Sequence, residues 1–351
     1  MTAPPAPSPI RRALRPAKRV GWRAHVEWDA LLGRVRNADV AVFHEFFDAP
    51  HGGGSQTLRA VLGELQRRGV RVEVNTISAS TRAVLFNSFN FDAARLRLLA
   101  QRARDARFVH RVGAVTSLYR GFDDGTDARV AALNRELADA TLAISHATIA
   151  MYRQIGVELV EPRVVHNGCD PSIFHPHGRA PFSRDAKIRL VSTSWSDNPR
   201  KGGPTYRWLE DQLDWDHYEF TFVGNSSTPF ERIRHLPPLP SRELAEELRR
   251  HHVFVTATEN DAYSNALVEA LWCGLPAIYL DSGGSAEAVK EAGFGYRERE
   301  EIPALLDRLV DEHEVRQAAI SLPSLEEITD EYLALLGLAD YLARRRPTPI
   351  P

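Results

Sequence analysis

Cysteine is scarce, charge is close to balanced and long apolar runs are missing. The chain holds 2 cysteines in 351 residues, Cys169 and Cys273. They lie far apart and form no redox or zinc spacing, which excludes a disulfide scaffold. They read as free thiols in a reducing compartment. Net charge is −2, so bulk charge leaves no footprint of a nucleic-acid partner, and none is expected. No apolar run reaches the roughly 20 residues that a membrane helix needs. The opening stretch, "MTAPPAPSPIRRALRPAKRVGWR", is proline-rich and then basic, and lacks the apolar centre of a secretory signal. A cytoplasmic protein is expected.

The remaining composition is that of a globular protein, 43% apolar and 26% charged. The length is too great for one ordinary core and suggests two domains. One local bias stands out. Arg11, Arg12, Arg15, Lys18, Arg19 and Arg23 all precede the first acidic residue, Glu27. With Ile10, Leu14, Val20 and Trp22 between them, they suit a weak peripheral contact with the inner face of a membrane. A solvated tail is the commoner fate of such a run.

Periodicity organises the rest. "DVAVFHEFF" (39–47) has the pattern of a buried strand. "DAPHGGGS" follows as a loop, and "SQTLRAVLGELQRRG" is an amphipathic helix with Leu58, Val61, Leu62 and Leu65 on one face. "VRVEVNTIS" is the next strand, which completes a βαβ unit of a parallel sheet. Alternating strands and helices continue to "PRVVHNG". Residues 170–186, rich in proline and polar groups, read as a linker. The alternation then restarts at "KIRLVSTSW". The expected division is a basic segment 1–37, a Rossmann-like domain 38–169, a linker 170–186, a second Rossmann-like domain 187–322 and a terminal helical segment 323–351. Two doubly wound domains in series form a cleft, with ligands beyond the carboxyl ends of the strands.

The chemistry gathers in "ENDAYSNALVEALWCGLP" (259–276). Asp261 falls in the loop after a strand, and Glu269 falls inside the apolar helix that follows. Ser264 or Asn265 can cap that helix, whose first amides form an anion site. A carboxylate among Ala, Leu, Val and Trp is costly to bury without a partner. A sugar nucleotide fits: its diphosphate meets the helix start and its hydroxyls donate to the acids. The same spacing also suits a surface acid plus a buried acid paired with an arginine.

The longer stretch "DAYSNALVEALWCGLPAIYLDSGG" resembles the acid, loop, "NALLEAMACGLPVI" and Gly-Gly pattern of retaining GT-B glycosyltransferases, specifically glycosyltransferase family four. "VVHNGCDPSIFHP" (164–176) resembles the family's "NGVDxxxFxP" segment at the domain junction, where Asn-Gly makes a turn and Asp170 bonds the hinge backbone. "VSTSWSDNPRKGG" (191–203) resembles its strand, basic residue and Lys-Gly segment. "HGGGSQTL" (51–58) resembles its glycine loop after the first strand.

The resemblance spans roughly residues 39 to 310. It implies an α/β GT-B fold, with the second domain holding a nucleotide sugar and the first an acceptor. By the same resemblance Glu269 holds the ribose, and Asp261, where the family usually has Glu, contacts the donor sugar with Glu259 nearby as a substitute. The donor site runs through Tyr263, Ser264, Asn265 and Ala266. Lys201 clamps the diphosphate, with Arg200 beside it in place of the family's missing Arg. Gly53 and Gly54 admit the ligand closely, and His110 in "FVHRVG" touches the sugar near its reacting carbon. UDP-sugar is the favoured donor and GDP-sugar the second. The acceptor, whether glycan, glycolipid or small molecule, stays open. A nucleotide-sugar epimerase on the same fold and a binding protein without catalysis are the alternatives. "FDDGTD" (122–127) reads as a solvated turn, and no metal or other cofactor is expected.

Overall fold

The computed structural model describes residues 37–46 and 53–343. The basic segment therefore lies outside the described residues, apart from Asn37, and so do residues 47–52. Among the described residues, twelve strands and the helices between them build two layered halves. The first half contains β1 (Val40–Phe43), α1 (Gly53–Arg67), β2 (Val72–Val74), β3 (Ala83–Asn87), α2 (Ala93–Ala100) and β4 (Arg107–Val112). It continues with α3 (Thr116–Arg120), α4 (Thr126–Leu137), β5 (Ala140–Ala143), α5 (His146–Gln154) and β6 (Pro162–Val164). The second half opens with β7 (Ile188–Ser194), α6 (Gly203–Gln212), β8 (Tyr218–Gly224), β9 (Arg234–Leu236), α7 (Ser241–Arg249) and β10 (Val253–Thr256). It continues with α8 (Asn265–Trp272), β11 (Ala277–Leu280), α9 (Ser285–Val289), β12 (Gly293–Tyr296), α10 (Ile302–Asp311) and α11 (His313–Ala318). Two further helices, α12 (Leu325–Leu335) and α13 (Ala339–Ala343), close the described chain.

Each sheet has six strands, in the orders β2-β1-β3-β4-β5-β6 and β12-β11-β10-β7-β8-β9. Every pairing is parallel. Helices cover both faces, so β1 is apolar at every position, and β3 and β10 are apolar at all but their last. In β1, Val40 and Val42 enter one core and Ala41 and Phe43 the other. In β10, Phe254 faces one core and Val253 and Val255 the other. Each such side chain contributes about 1.5–3 kcal/mol by leaving water. The expected face of α1 is the one buried, through Leu58, Val61, Leu62 and Leu65.

The terminal segment returns to the first half. Tyr332 of α12 accepts a hydrogen bond from Arg111 Nε at 3.0 Å. Leu335 O accepts from Arg107 Nε at 2.7 Å, and Tyr341 donates to Asp39 at 3.0 Å. Residues beyond the linker thus help to hold the first sheet.

Candidate active site

Strand order in the second sheet reverses between β7 and β10. The crevice at such a reversal is where open parallel sheets take their ligands. The loop after β7 carries Lys201 and the loop after β10 carries Asp261. Lys201 ends a single 3₁₀ turn, Pro199–Lys201, whose cap Asn198 accepts from Arg200 N at 2.9 Å. Gly202 follows with φ 96°, and a Cβ there would lie 2.6 Å from the Ala257 side chain. Only glycine lets the lysine turn pack this closely against the strand end.

Lys201 Nζ donates to Asp261 Oδ2 at 3.0 Å, with the two side chains 22% and 19% exposed. The ammonium also lies 5.5 Å from the centre of the Tyr119 ring. Arg200 pairs with Glu259 at 3.4 Å and donates to Leu118 O at 2.9 Å. Asn198 donates to Arg120 O at 3.1 Å. Helix α3 of the first half therefore rests on the two loops that carry the charged groups.

The Gly-Gly pair beyond β11 braces the acid loop. A Cβ on Gly283, at φ 65°, would lie 2.0 Å from Asp261 O, and one on Gly284 would lie 1.7 Å from Ala262 O. The vacant space lets Gly284 N donate to Asp261 O at 2.8 Å.

Helix α8 begins at Asn265 with Ser264 as its N-cap, but Ser264 makes no side-chain cap bond. Asn265 does not cap either. Its Oδ1 accepts from Thr57 at 3.1 Å and from Asn167 at 3.1 Å, and so joins the second half to α1 and the hinge. Half-buried Ala266 is the next residue of the first turn. The Tyr263 ring is buried and stacks on His166 with centroids 4.6 Å apart. Its side chain is taken up by packing, and its carbonyl accepts from Asn167 at 3.4 Å.

Glu269 is 6% exposed and lines a cavity of about 350 Å³ together with Asn265, Thr57 and Asp170. Asn265 and Glu269 are one helical turn apart and share a face. Burial alone pushes the Glu269 carboxyl up to about 8, and no arginine offsets it. The two acids are thus divided. Asp261 takes Lys201, while Glu269 faces the cavity without a partner among the described residues.

Three expectations need correction. His110 does not reach the cleft: it is fully buried and stacked on Phe86 with centroids 4.3 Å apart. Its Nε2 meets Ser88 O at 3.0 Å and its Nδ1 meets Asn134 at 3.2 Å. Burial drives its pKa down to about 4, so it is a neutral core histidine. Gly53 and Gly54 are not a loop but the start of α1, and a Cβ on Gly54 would meet nothing within 4 Å. Close packing does not require glycine at Gly54. Tyr263, as described, turns its ring to the hinge rather than the cleft. The acids of "FDDGTD" serve turns: Asp127 accepts from the amides of Thr116 and Ser117, and Asp123 and Asp124 accept from Gly125 and Thr126.

The sequence reading missed a buried polar chain that runs through the first half to the hinge. Ser55 Oγ meets His44 Nε2 at 2.9 Å, and His44 Nδ1 meets Asn87 at 3.1 Å. Arg111 donates to Asn87 at 2.7 Å and to Asn167 at 2.6 Å. Burial first, then Arg111 and Arg59, lowers the His44 pKa to about 4. Asn167 was legible as a turn residue. Tyr119 and Thr57 carried no signal in the sequence.

Comparison with known proteins gives this geometry a context. Residues 208–312 match the family model described as glycosyl transferases group 1. A D-inositol 3-phosphate glycosyltransferase of Thermobispora bispora is 31% identical over 113 residues, 32% of this chain and 24% of that protein. The chain matches about a quarter of the length of its curated relatives. Among solved structures, Anabaena HepE in complex with UDP-glucose superposes with a TM-score of 0.58 at 13% identity, covering 87% of this chain and 98% of that one. The catalytic domain of starch synthase IV from Arabidopsis thaliana, bound to ADP and acarbose, gives 0.62 at 11% identity, covering 87% and 99%. The fold is GT-B, two Rossmann-like halves, as the resemblance implied.

Proposed function

We propose, from a GT-B chain whose second half carries the glycosyl transferases group 1 match, that this protein moves a sugar from a nucleotide-diphosphate donor to an acceptor. The observation that carries the reading is the Lys201–Asp261 pair at the strand reversal, next to the α8 amides that Ser264 leaves uncapped. In this reading the donor diphosphate displaces Asp261 from Lys201, and the α8 amides bind the same group. Released Asp261 then accepts from a sugar hydroxyl. Glu269 accepts from the ribose hydroxyls in its cavity. Arg200 adds a second cation, and Tyr119 shelters Lys201 from water.

We take the transfer to retain configuration, with the departing phosphate oxygen receiving the acceptor proton on the same face of the sugar. UDP is the favoured nucleotide, as in HepE with its UDP-glucose, and GDP the second. The acceptor binds against the first half.

A thermal-shift screen with UDP-, GDP- and dTDP-sugars tests donor binding. Stabilisation by one nucleotide class, followed by acceptor-dependent release of its diphosphate, is the expected result. No shift with any donor rejects the reading. Conversion of the sugar with no acceptor present would mark an epimerase, and binding without turnover a non-catalytic protein.

A further inference from the structure

The second sheet has a cavity at its other end. About 700 Å³ in volume, it opens where the strands begin: Lys187 precedes β7, Tyr218 opens β8 and Arg234 opens β9. Lys201 and Asp261 follow the opposite ends of the strands. Seven residues of β7 separate the two regions, roughly 20 Å of extended chain. One phosphate group cannot occupy both.

The charge in this cavity does not balance. Five cations, Lys187, Arg189, Arg232, Arg234 and Arg250, line it with two carboxylates, Glu219 and Glu247. The buried Glu247 side chain takes Arg234 at 3.1 Å and Arg250 at 2.8 Å, so one acid answers two guanidinium groups. The other three cations have no carboxylate partner among the described residues. Lys187 Nζ donates to Trp215 O at 2.7 Å, and Arg232 lies over the Trp215 ring at 4.5 Å. Arg189 Nη2 meets His252 Nε2 at 2.8 Å, and its buried Nε has no hydrogen-bond partner among the described residues.

We propose that this cavity binds the phosphate group of a small phosphorylated molecule. Cations gathered without counter-charge repel one another, and an anion of more than one charge relieves this. A phosphoryl group carries about −1.5 to −2 at neutral pH and accepts several charge-assisted hydrogen bonds from guanidinium and ammonium groups. The volume is that of a small-molecule site rather than of an ion alone. Trp215 and Phe220 give the rest of the ligand an apolar wall.

The test uses the full chain carrying Lys201→Ala, which removes the diphosphate clamp of the cleft. Calorimetry with pyrophosphate should still register binding. Adding Lys187→Gln and Arg232→Gln should weaken it at least tenfold without lowering the unfolding midpoint, since both side chains are exposed. No binding to the Lys201→Ala chain, or binding that the added pair leaves unchanged, overturns the proposal. Co-sedimentation with phosphatidic acid vesicles, absent with phosphatidylcholine and displaced by pyrophosphate, would assign the phosphate to a lipid headgroup. Pyrophosphate binding without co-sedimentation assigns it to a soluble ligand.

Discussion

Glu269 is the residue where stability and the proposed chemistry pull apart. With its pKa raised from 4.5 to about 8 by burial, it is mostly protonated at pH 7. A folded pKa above the unfolded one gives stability that is whole below about 4.5 and is lost as pH rises toward 8. At about 1.4 kcal/mol per pKa unit, ionisation in the unfolded chain works against folding by about 4 kcal/mol at pH 8. Glu269→Gln should therefore stabilise the ligand-free protein at pH 8 and do nothing below pH 4, as denaturant unfolding at both pH values would reveal. The same variant should bind nucleotide more weakly, since hydrogen bonds to a charged acceptor contribute about 1.5–3 kcal/mol each. Ribose hydroxyls donate, so binding favours the ionised acid and releases a proton. Affinity for UDP should rise with pH toward about 8 and level off above it. A flat profile in calorimetry would remove Glu269 from the ribose. At the neighbouring pair the two partners should separate. Lys201→Ala should lose affinity for UDP but little for uridine. Asp261→Asn frees the ammonium from its internal counter-charge, so UDP affinity should hold or rise a few-fold while transfer falls. Equal losses of UDP binding in both variants would contradict this division.

At the scale of elements, long periodic segments were legible and short ones were not. The apolar face of α1 and the largely apolar strands β1, β3 and β10 followed from residue pattern. The strands β9 (Arg234–Leu236) and β12 (Gly293–Tyr296) did not, because three residues between prolines and "GFGY" carry no alternation. Helix α3 is five residues long, too short for a clear helical pattern, and the contact of its Tyr119 ring with Lys201 could not be foreseen. "FVHRVG" shows a different limit. Strand alternation places His110 and Arg111 on opposite faces, but the pattern does not say which face meets the helix layer. The histidine went inward, and Arg111 joined the hinge. The Gly-Gly pair was legible only through family resemblance, and its physical reason is contact with the acid loop. Gly284→Ala should push that loop away from α9. The expected cost is about 1–3 kcal/mol of stability, as for other overpacked sites, with transfer falling further than nucleotide affinity. An unfolding midpoint equal to the parent's would show that the contact can relax freely.

Across the whole molecule, the charged loops of the second half lie against the first, and the halves are fastened at several places. Arg200 and Asn198 reach α3, Thr57 and Asn167 both reach Asn265, and α12 ties back through Tyr332. Such an arrangement fixes cations and amide dipoles before any donor arrives. Enzymes that transfer sugars from nucleotide diphosphates must stabilise a leaving group that gains negative charge. Some do so with a divalent ion held by paired aspartates. In this chain the nearest acidic run, "FDDGTD", is committed to the caps and turns around α3 and α4. In the proposed reading Lys201, Arg200 and the uncapped amides of α8 meet the diphosphate. Preorganised donors of this kind contribute several kcal/mol each to a developing charge, about 2.7–4 for one well-placed donor. Removing divalent ions should accordingly leave the proposed transfer intact. After chelation with EDTA and dialysis, turnover with the donor found by thermal shift should match that measured with added Mg²⁺ or Mn²⁺. Lys201→Ala, by contrast, should lower kcat by about 100-fold or more, the loss that 2.7 kcal/mol implies. If activity vanishes on chelation and returns only with a divalent ion, the metal carries the charge assigned to Lys201, and the role of the lysine falls with it.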